Sequence, residues 1–308
     1  MTTTLDRPPV RKTGSGGERE KKGARLRASR IALHTFLVAV CLIWLAPLLW
    51  TVFASLRTYE DTAANGYFSL PSELTLSNFG KAWQTADLPN YFWNTLAITV
   101  PALVITLLFS SFVAFGVTRF NFKFNLALLM LFTAGNLLPQ QVIITPLYRL
   151  FRLTPVPEWL NYKETLLDTQ LGLILIHIAF QVGFCTFVLS NYMKTIPNEL
   201  TEAARVDGAG VFRQYWQVIL PLCRPALGAL ATLEFTWIYN DFFWAIVLIQ
   251  TGDKMPITSA LSNLRGQFFT DYNLLAAGSL LVALPCLVVF FALQRQFVGG
   301  LTLGSTKG

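Results

Sequence analysis

The stretch Glu202 to Pro221, EAARVDGAGVFRQYWQVILP, is a helix-patterned polar island between two long apolar runs. It follows Pro197, and Glu199 and Glu202 fall in the first turns, where the positive end of the helix dipole favours carboxylates. The pattern predicts a short helix through EAARV and a stop at Asp207-Gly208, because glycine takes up the left-handed conformation that closes a helix. A second helix follows at once. In VFRQYWQVIL the residues Val211, Phe212, Tyr215, Trp216 and Ile219 recur at three- and four-residue spacing and make one apolar face. Pro221 is expected to end that helix. Such a unit, fixed at both ends, is either a lever that transmits motion from a soluble partner or an ordinary interfacial helix, and periodicity leaves both readings open.

Outward from this island the chain is apolar. Of its 308 residues 53% are hydrophobic and only 13% charged, with mean hydropathy +0.48, too little polar surface for a soluble globule of this size. Six apolar runs are long enough to cross about 30 Å of hydrocarbon as helices. The expected spans are 31–55, 92–118, 125–147, 169–192, 225–249 and 273–293. The runs are too long for buried strands and lack the alternation of an outer-membrane barrel. The fold class expected is therefore an all-α integral membrane protein of six helices, with a polar element between the fourth and fifth. The domain organisation expected is a basic, disordered tail over 1–30 and one membrane domain over 31–308. The first apolar run shows no small-residue cleavage pattern, so it reads as a retained span.

Lys and Arg fall unevenly. The N-terminal tail holds nine, 119–123 two, 194–224 four and the C-terminal tail two, seventeen in all, against seven in 57–87, 149–168 and 251–271. The positive-inside bias thus predicts both termini and the 194–224 segment in the cytoplasm. The formal net charge of +7 sits mostly in the tail, where anionic lipid heads of the bilayer are its natural partner, and no nucleic-acid partner is implied. The four cysteines stand singly in or beside apolar stretches. His34 and His177 each stand alone on an apolar helix, so no metal site is expected, and packing or an interhelical hydrogen bond is their reading. GxxxxGK[ST], GxSxG and HExxH are absent, so the chain shows no means of binding nucleotide or running hydrolysis itself.

Glu202-Ala203-Ala204, three residues, Gly208, nine residues and then Val218-Ile219-Leu220-Pro221 resembles the EAA loop of ABC importer permeases. The resemblance extends through YFWNTL at 91–96, VTRFNFK at 117–123, LLPQQVIITPLYRLF at 137–151 and the terminal run QRQFVGGLTLGSTKG at 294–308, the last similar to maltose-type carbohydrate permeases. It implies a type I importer permease fold in a bacterial or archaeal cytoplasmic membrane. The partners it implies are a second permease forming a heterodimer, two ATPase subunits that hold ATP and Mg, and an extracytoplasmic solute-binding protein, with no cofactor in this chain. By the same resemblance Glu202 makes the polar contact to the ATPase, Ala203 and Ala204 permit close approach, Asp207 and Gly208 form the turn, and Pro221 closes the segment.

Glu234 and Asp241 are the only carboxylates within an expected span, where a charge costs about 2.5–3.5 kcal/mol at mid-bilayer on insertion scales. On one continuous helix, Glu234, Trp237, Asp241 and Trp244 share a stripe within about 80° of arc. FTWIYNDFFW, 235–244, resembles the WND-type segment of sugar permeases, whose helix lines the translocation path. Tryptophan faces beside an amide or carboxylate suit a sugar's mixed surface, so Trp237, Asn240 and Asp241 are candidates for facing the sugar path. The alternative is that Asn240 and Asp241 tie this helix to a neighbour. In the loop 251–272, Asn263, Arg265 and Gly266 are candidates for contact with the binding protein, or the loop is a plain connector. Two other classes compete with the importer reading. An ion-coupled secondary transporter would use Glu234 and Asp241 as a relay, and a membrane enzyme would need a nucleophile and base together, for which no cluster is seen.

Overall fold

The structure, a computed structural model, describes residues 16–120, 123–135, 139–266 and 269–302. Half of the tail 1–30 and the end of the run 294–308 thus lie outside the described residues. The chain divides into a short unit, 1–53, and a large one, 54–308.

The short unit is carried by α1 (Gly16–Ser55), which begins well before the apolar run. Residues 16–30 are therefore helical where the sequence reads as disordered. Their Glu, Lys, Arg and Ala content gives good helix propensity, which outweighs the missing apolar periodicity. From 29 to 53 no side chain of α1 is buried. Ile43 and Trp44 stand more than two-thirds exposed, an all-round apolar surface of the kind that hydrocarbon solvates.

The large unit runs through α2 (Tyr59–Asn65), α3 (Ser77–Thr85), α4 (Leu88–Arg119), α5 (Asn125–Gly135), α6 (Ile144–Leu153), α7 (Gln170–Met193), α8 (Glu199–Val206), α9 (Val211–Arg213), α10 (Leu220–Leu222), α11 (Arg224–Tyr239), α12 (Phe243–Leu248), α13 (Ile257–Ala260) and α14 (Tyr272–Thr302). The described residues contain no strand. Ser29–Ser55, α4, α7 and Tyr272–Gln294 are each long and apolar enough to cross a membrane, and the number reaches six only if two bent helix pairs each count as one span.

Two of the expected spans, 125–147 and 225–249, are interrupted. The run 125–147 stops at Gly135 and resumes with a 3₁₀ turn at Gln140–Ile143, with an 87° bend between its halves. Pro139 lacks an N–H and disfavours helix in the residue before it, so continuous apolarity could not carry the helix through. The run 225–249 stops at Tyr239 and restarts at Phe243.

The core is built on α4 lying along α7, with α11 packed on α4 and α14. α4 presents the small residues Ala102, Thr106, Ser110 and Ala114, all fully buried, and Ser110 Oγ donates to the Val182 carbonyl at 3.2 Å. Small side chains let the two backbones approach, which supplies the packing that drives helix association where lipid offers no hydrophobic gain.

One end of the unit is tied by Asp168, whose side chain is buried and whose backbone is left-handed, with φ +64°, a conformation Asp tolerates better than most residues. Its Oδ1 accepts the backbone N–H groups of Gln250 at 2.8 Å and Thr251 at 2.9 Å, and its Oδ2 the Thr251 hydroxyl at 2.7 Å. Lys254 Nζ donates to its carbonyl at 2.9 Å. Burial raises the carboxyl, but the Thr251 hydroxyl, both backbone donors and Lys254 outweigh it and hold it below the ordinary carboxylate value. The start of α7 is thereby fastened to the segment after α12. At the opposite end Arg119 Nη2 donates to the carbonyls of Met193 at 3.1 Å and Ile196 at 3.0 Å, and Nη1 to Asn198 Oδ1. This locks the end of α4 to the approach to α8.

A carboxyl held low in the fold stabilises it above the unfolded value and loses that contribution as pH falls through the folded value. Asp168→Ala is expected to lower stability by about 1–3 kcal/mol at neutral pH, as a buried acceptor of several hydrogen bonds is removed. In thermal unfolding of the solubilised protein the gap to wild type should close in acid. An equal gap at both pH values would assign the junction to packing.

Candidate functional site

Two features of the large unit stand out, a helix–turn–rod element at one end and a polar cavity along α7 and α11.

The first element is the Glu202–Pro221 stretch. α8 closes in a Schellman motif: Ala209 N–H donates to the Ala204 carbonyl at 2.8 Å and Gly208 N–H to the Arg205 carbonyl at 3.0 Å. Gly208 sits at φ +78°, in open space for a Cβ, so the left-handed backbone and not crowding demands glycine here. The predicted stop at Asp207-Gly208 is thus where the chain turns. The rod Val211–Leu222 then runs through α9, a π-helical stretch Gln214–Ile219 and α10. Pro221 does not end it, because the rod continues to Leu222 and turns by 73° into α11 at Cys223. A widened π turn ahead of Pro221 relieves the clash its ring makes with the preceding turn of an α-helix.

The apolar face read from spacing is split by its surroundings. Tyr215 and Ile219 are buried, whereas Val211, Phe212 and Trp216 are exposed. The Tyr215 ring stacks on Phe112 of α4 at 4.2 Å, and its hydroxyl lies 2.6 Å from Ser111 Oγ. One side of the rod is therefore clamped to α4. The other side is exposed, although Phe212 also stacks at 6.5 Å on Phe112, and Glu202, Ala203, Asp207 and Gly208 are exposed, with Ala204 half-buried.

The second feature is a cavity of about 690 Å³ lined by α7, α11, α12, the break between the last two and Gln140. The break has a local chemical cause. Asn240 ends α11, its Nδ2 donating to the Thr236 carbonyl at 2.9 Å, and Asp241 starts α12, accepting the N–H groups of Trp244 at 3.3 Å and Ala245 at 3.2 Å. The Thr258 hydroxyl takes the freed Asp241 carbonyl at 2.6 Å. Asn-Asp is thus a stop followed by a start: the Asn240 side chain and backbone both return to the Thr236 carbonyl, and Asp241 takes two N–H groups that the start of α12 leaves orphaned.

Of the expected stripe, Glu234 falls outside the cavity lining. Trp237, Asn240 and Asp241 line the cavity. Trp244 lines it too, although it is a core residue only 2% exposed, with its ring 5.5 Å from Phe180. Glu234 is fully buried and accepts from Cys185 Sγ at 3.3 Å. It is not paired with Asp241, as a shared relay would require. His177, read as a packing or interhelical residue, lines the cavity with Nε2 3.7 Å from Asp241 Oδ2. Gln140, Gln181 and Thr236 complete its polar lining and were missed by sequence reasoning. Their signal was present, since glutamines within apolar runs are intramembrane polar groups.

At the Asp168 end, Asn263 is held back toward the bundle, its Nδ2 donating to the Tyr91 hydroxyl at 3.2 Å. Arg265 and Gly266 are exposed at a turn where Arg265 bridges Thr270. The backbone is so close there that a Cβ on Gly266 would meet the Phe269 carbonyl oxygen at 2.4 Å.

Comparison with known proteins places these features in a family. Residues 106–301, which contain both the rod and the cavity, match the family described as binding-protein-dependent transport system inner membrane component. A probable ABC transporter permease of Pyrococcus horikoshii is 31% identical over 265 residues, covering 85% of this chain and 92% of the relative. The melibiose/raffinose/stachyose import permease MelC of Bacillus subtilis is 29% identical, covering 93% and 100%. In fold, the chain is similar to a bacterial ABC transporter involved in import of the acidic polysaccharide alginate, at TM-score 0.75 and 21% identity over 88% of this chain and 97% of that one. The chain belongs to the family of binding-protein-dependent transport system inner membrane components, the permease subunits of ABC importers.

Proposed function

We propose that this chain is the membrane subunit of an ATP-driven importer that moves a carbohydrate, delivered by an extracytoplasmic binding protein, through its cavity by alternating access. The observation that carries this reading is the continuity between the exposed helix–turn–rod element and the cavity. The rod passes through the bend at Cys223 into α11, and α11 ends at Asn240, in the cavity wall. The family membership supports the importer class, and the sugar cargo of the similar MelC supports a carbohydrate.

The charge bias sets the orientation proposed, with both termini and the α8–α10 element in the cytoplasm. Of two ATPase subunits, holding ATP and Mg, one would dock on this element. Glu202 makes the polar contact, Ala203 and Ala204 allow close approach, and Asp207, Gly208 and Pro221 fix the turn and the rod. A second permease, in a heterodimer, would close the open side of the cavity. The Asp168 end then faces the binding protein, with Arg265 and Gly266 at the turn available for contact and Asn263 positioning the loop base. Within the membrane Trp237, Asn240 and Asp241 face the path, while Glu234 and Trp244 pack the helices that carry it. ATP binding closes the ATPase pair, the rod passes that closure to α11, and hydrolysis resets it.

In the reconstituted importer, Glu202→Lys and Gly208→Pro should each lower binding-protein-stimulated ATP hydrolysis at least tenfold and weaken co-purification of the ATPase. Proline cannot occupy φ +78°. Normal docking and stimulation in both variants would remove the coupling role. Asp241→Ala should cut uptake at least tenfold while the permease pair still assembles, since the α12 cap and cavity wall are lost. If the pair fell apart, Asp241 would be an interhelical tie and no part of the path.

A further inference from the structure

Gln181 stands at the midpoint of the 24-residue α7, about 17 Å of helix from either end. Gln140 comes from the turn that interrupts the third apolar run. The structure therefore brings two amides from different segments to one cavity at membrane depth. Neither side chain makes a hydrogen bond among the described residues. Polar groups at this depth are expected to have partners, so two open amides facing one space point to a ligand.

The rest of the lining says what kind. Trp237 is 45% exposed and is braced from behind by Phe184, with ring centroids 5.5 Å apart, so it offers a fixed flat face to the cavity. Asn240 has its amide nitrogen committed to the Thr236 carbonyl and Cys286 Sγ, which leaves its oxygen as an acceptor. Each glutamine amide both donates and accepts, as a sugar hydroxyl does, and an indole face suits the apolar C–H side of a pyranose.

Charge narrows the class further. The ionisable side chains lining the cavity are His177 and Asp241, which face each other, and the Asp241 oxygens are also taken up by the Trp244 and Ala245 N–H groups. No Lys or Arg lines it among the described residues. A uronate or sugar phosphate would bring its negative charge toward a carboxylate with no cation to receive it.

We propose that Gln140, Gln181 and Trp237 form a saccharide-binding wall inside this subunit, built for uncharged sugars and selective against acidic ones. This rests on the carbohydrate reading above and adds the residues and the charge class.

The test uses the complete importer, reconstituted with its binding protein and partner subunits. It is offered a panel of neutral oligosaccharides, raffinose, maltotriose and cellotriose among them, and an acidic panel that includes trigalacturonate. ATP-driven uptake of at least one neutral sugar and none of the acidic ones is expected. Uptake confined to acidic sugars overturns the proposal while leaving the carbohydrate reading standing, and uptake of neither class overturns that reading as well. For the transported sugar, Gln140→Met, Gln181→Met and Trp237→Leu should each lower the sugar delivered per ATP hydrolysed at least tenfold in complexes that assemble. Methionine keeps the length of glutamine and suits the membrane interior, so both variants keep the packing of the span. If both Gln→Met variants deliver sugar as wild type does, the wall is not where the sugar binds.

Discussion

A polypeptide that interrupts its helices inside hydrocarbon must satisfy the exposed backbone groups itself, and this constraint shapes the cavity region of the protein. The break between α11 and α12 meets it with two adjacent side chains and one hydroxyl. Asn240 returns to the last turn of α11, Asp241 caps α12, and Thr258 takes the carbonyl left between them. With those groups bound, the chain can turn at membrane depth without exposing unpaired amides to lipid. α11 brings Trp237 to the cavity wall, and the turn after it brings Asn240, Asp241 and Trp244 to the same wall while Glu234 stays buried outside it.

The same logic runs through the two ends of the bundle. Asp168 gathers donors from the segment after α12, and Arg119 gathers carbonyls from the segment after α7. Each is a single side chain that replaces several backbone partners where a helix has run out. Between them, α4 and α7 pack through small residues and few directional bonds, as helices do when dispersion and close fit are the main attractions. The fold is thus directional at its ends and break points, and steric in its middle.

Much of this was legible in the sequence, and the part that was not has a common cause. Hydropathy located the spans, and the Asp207-Gly208 stop was readable because glycine in a polar, helix-patterned stretch has one main use. The breaks in 125–147 and 225–249 do not show in hydropathy, because apolarity reports the solvent around a segment and says little about its backbone path. The local signals were there, in Gly135 and Pro139 for one break and in Asn240-Asp241 for the other. The latter pair was read as ligand chemistry when its first role is to end one helix and begin the next. In the tail, residues 16–30 lack apolar periodicity but consist largely of good helix formers, and α1 starts at Gly16. The pairing of His177 with Asp241 and the convergence of Gln140 on Gln181 depend on tertiary placement, which no spacing rule contains.

The 16 residues of α11 make a rigid strut about 24 Å long, with the Cys223 bend at one end and the Asn240 break at the other. Because both ends are corners, a displacement at one is carried to the other by the strut and shared with α4, α7 and α14, on which it packs. A tilt of roughly 5° about the Cys223 corner would carry the far end through about 2 Å, on the scale of one hydrogen bond.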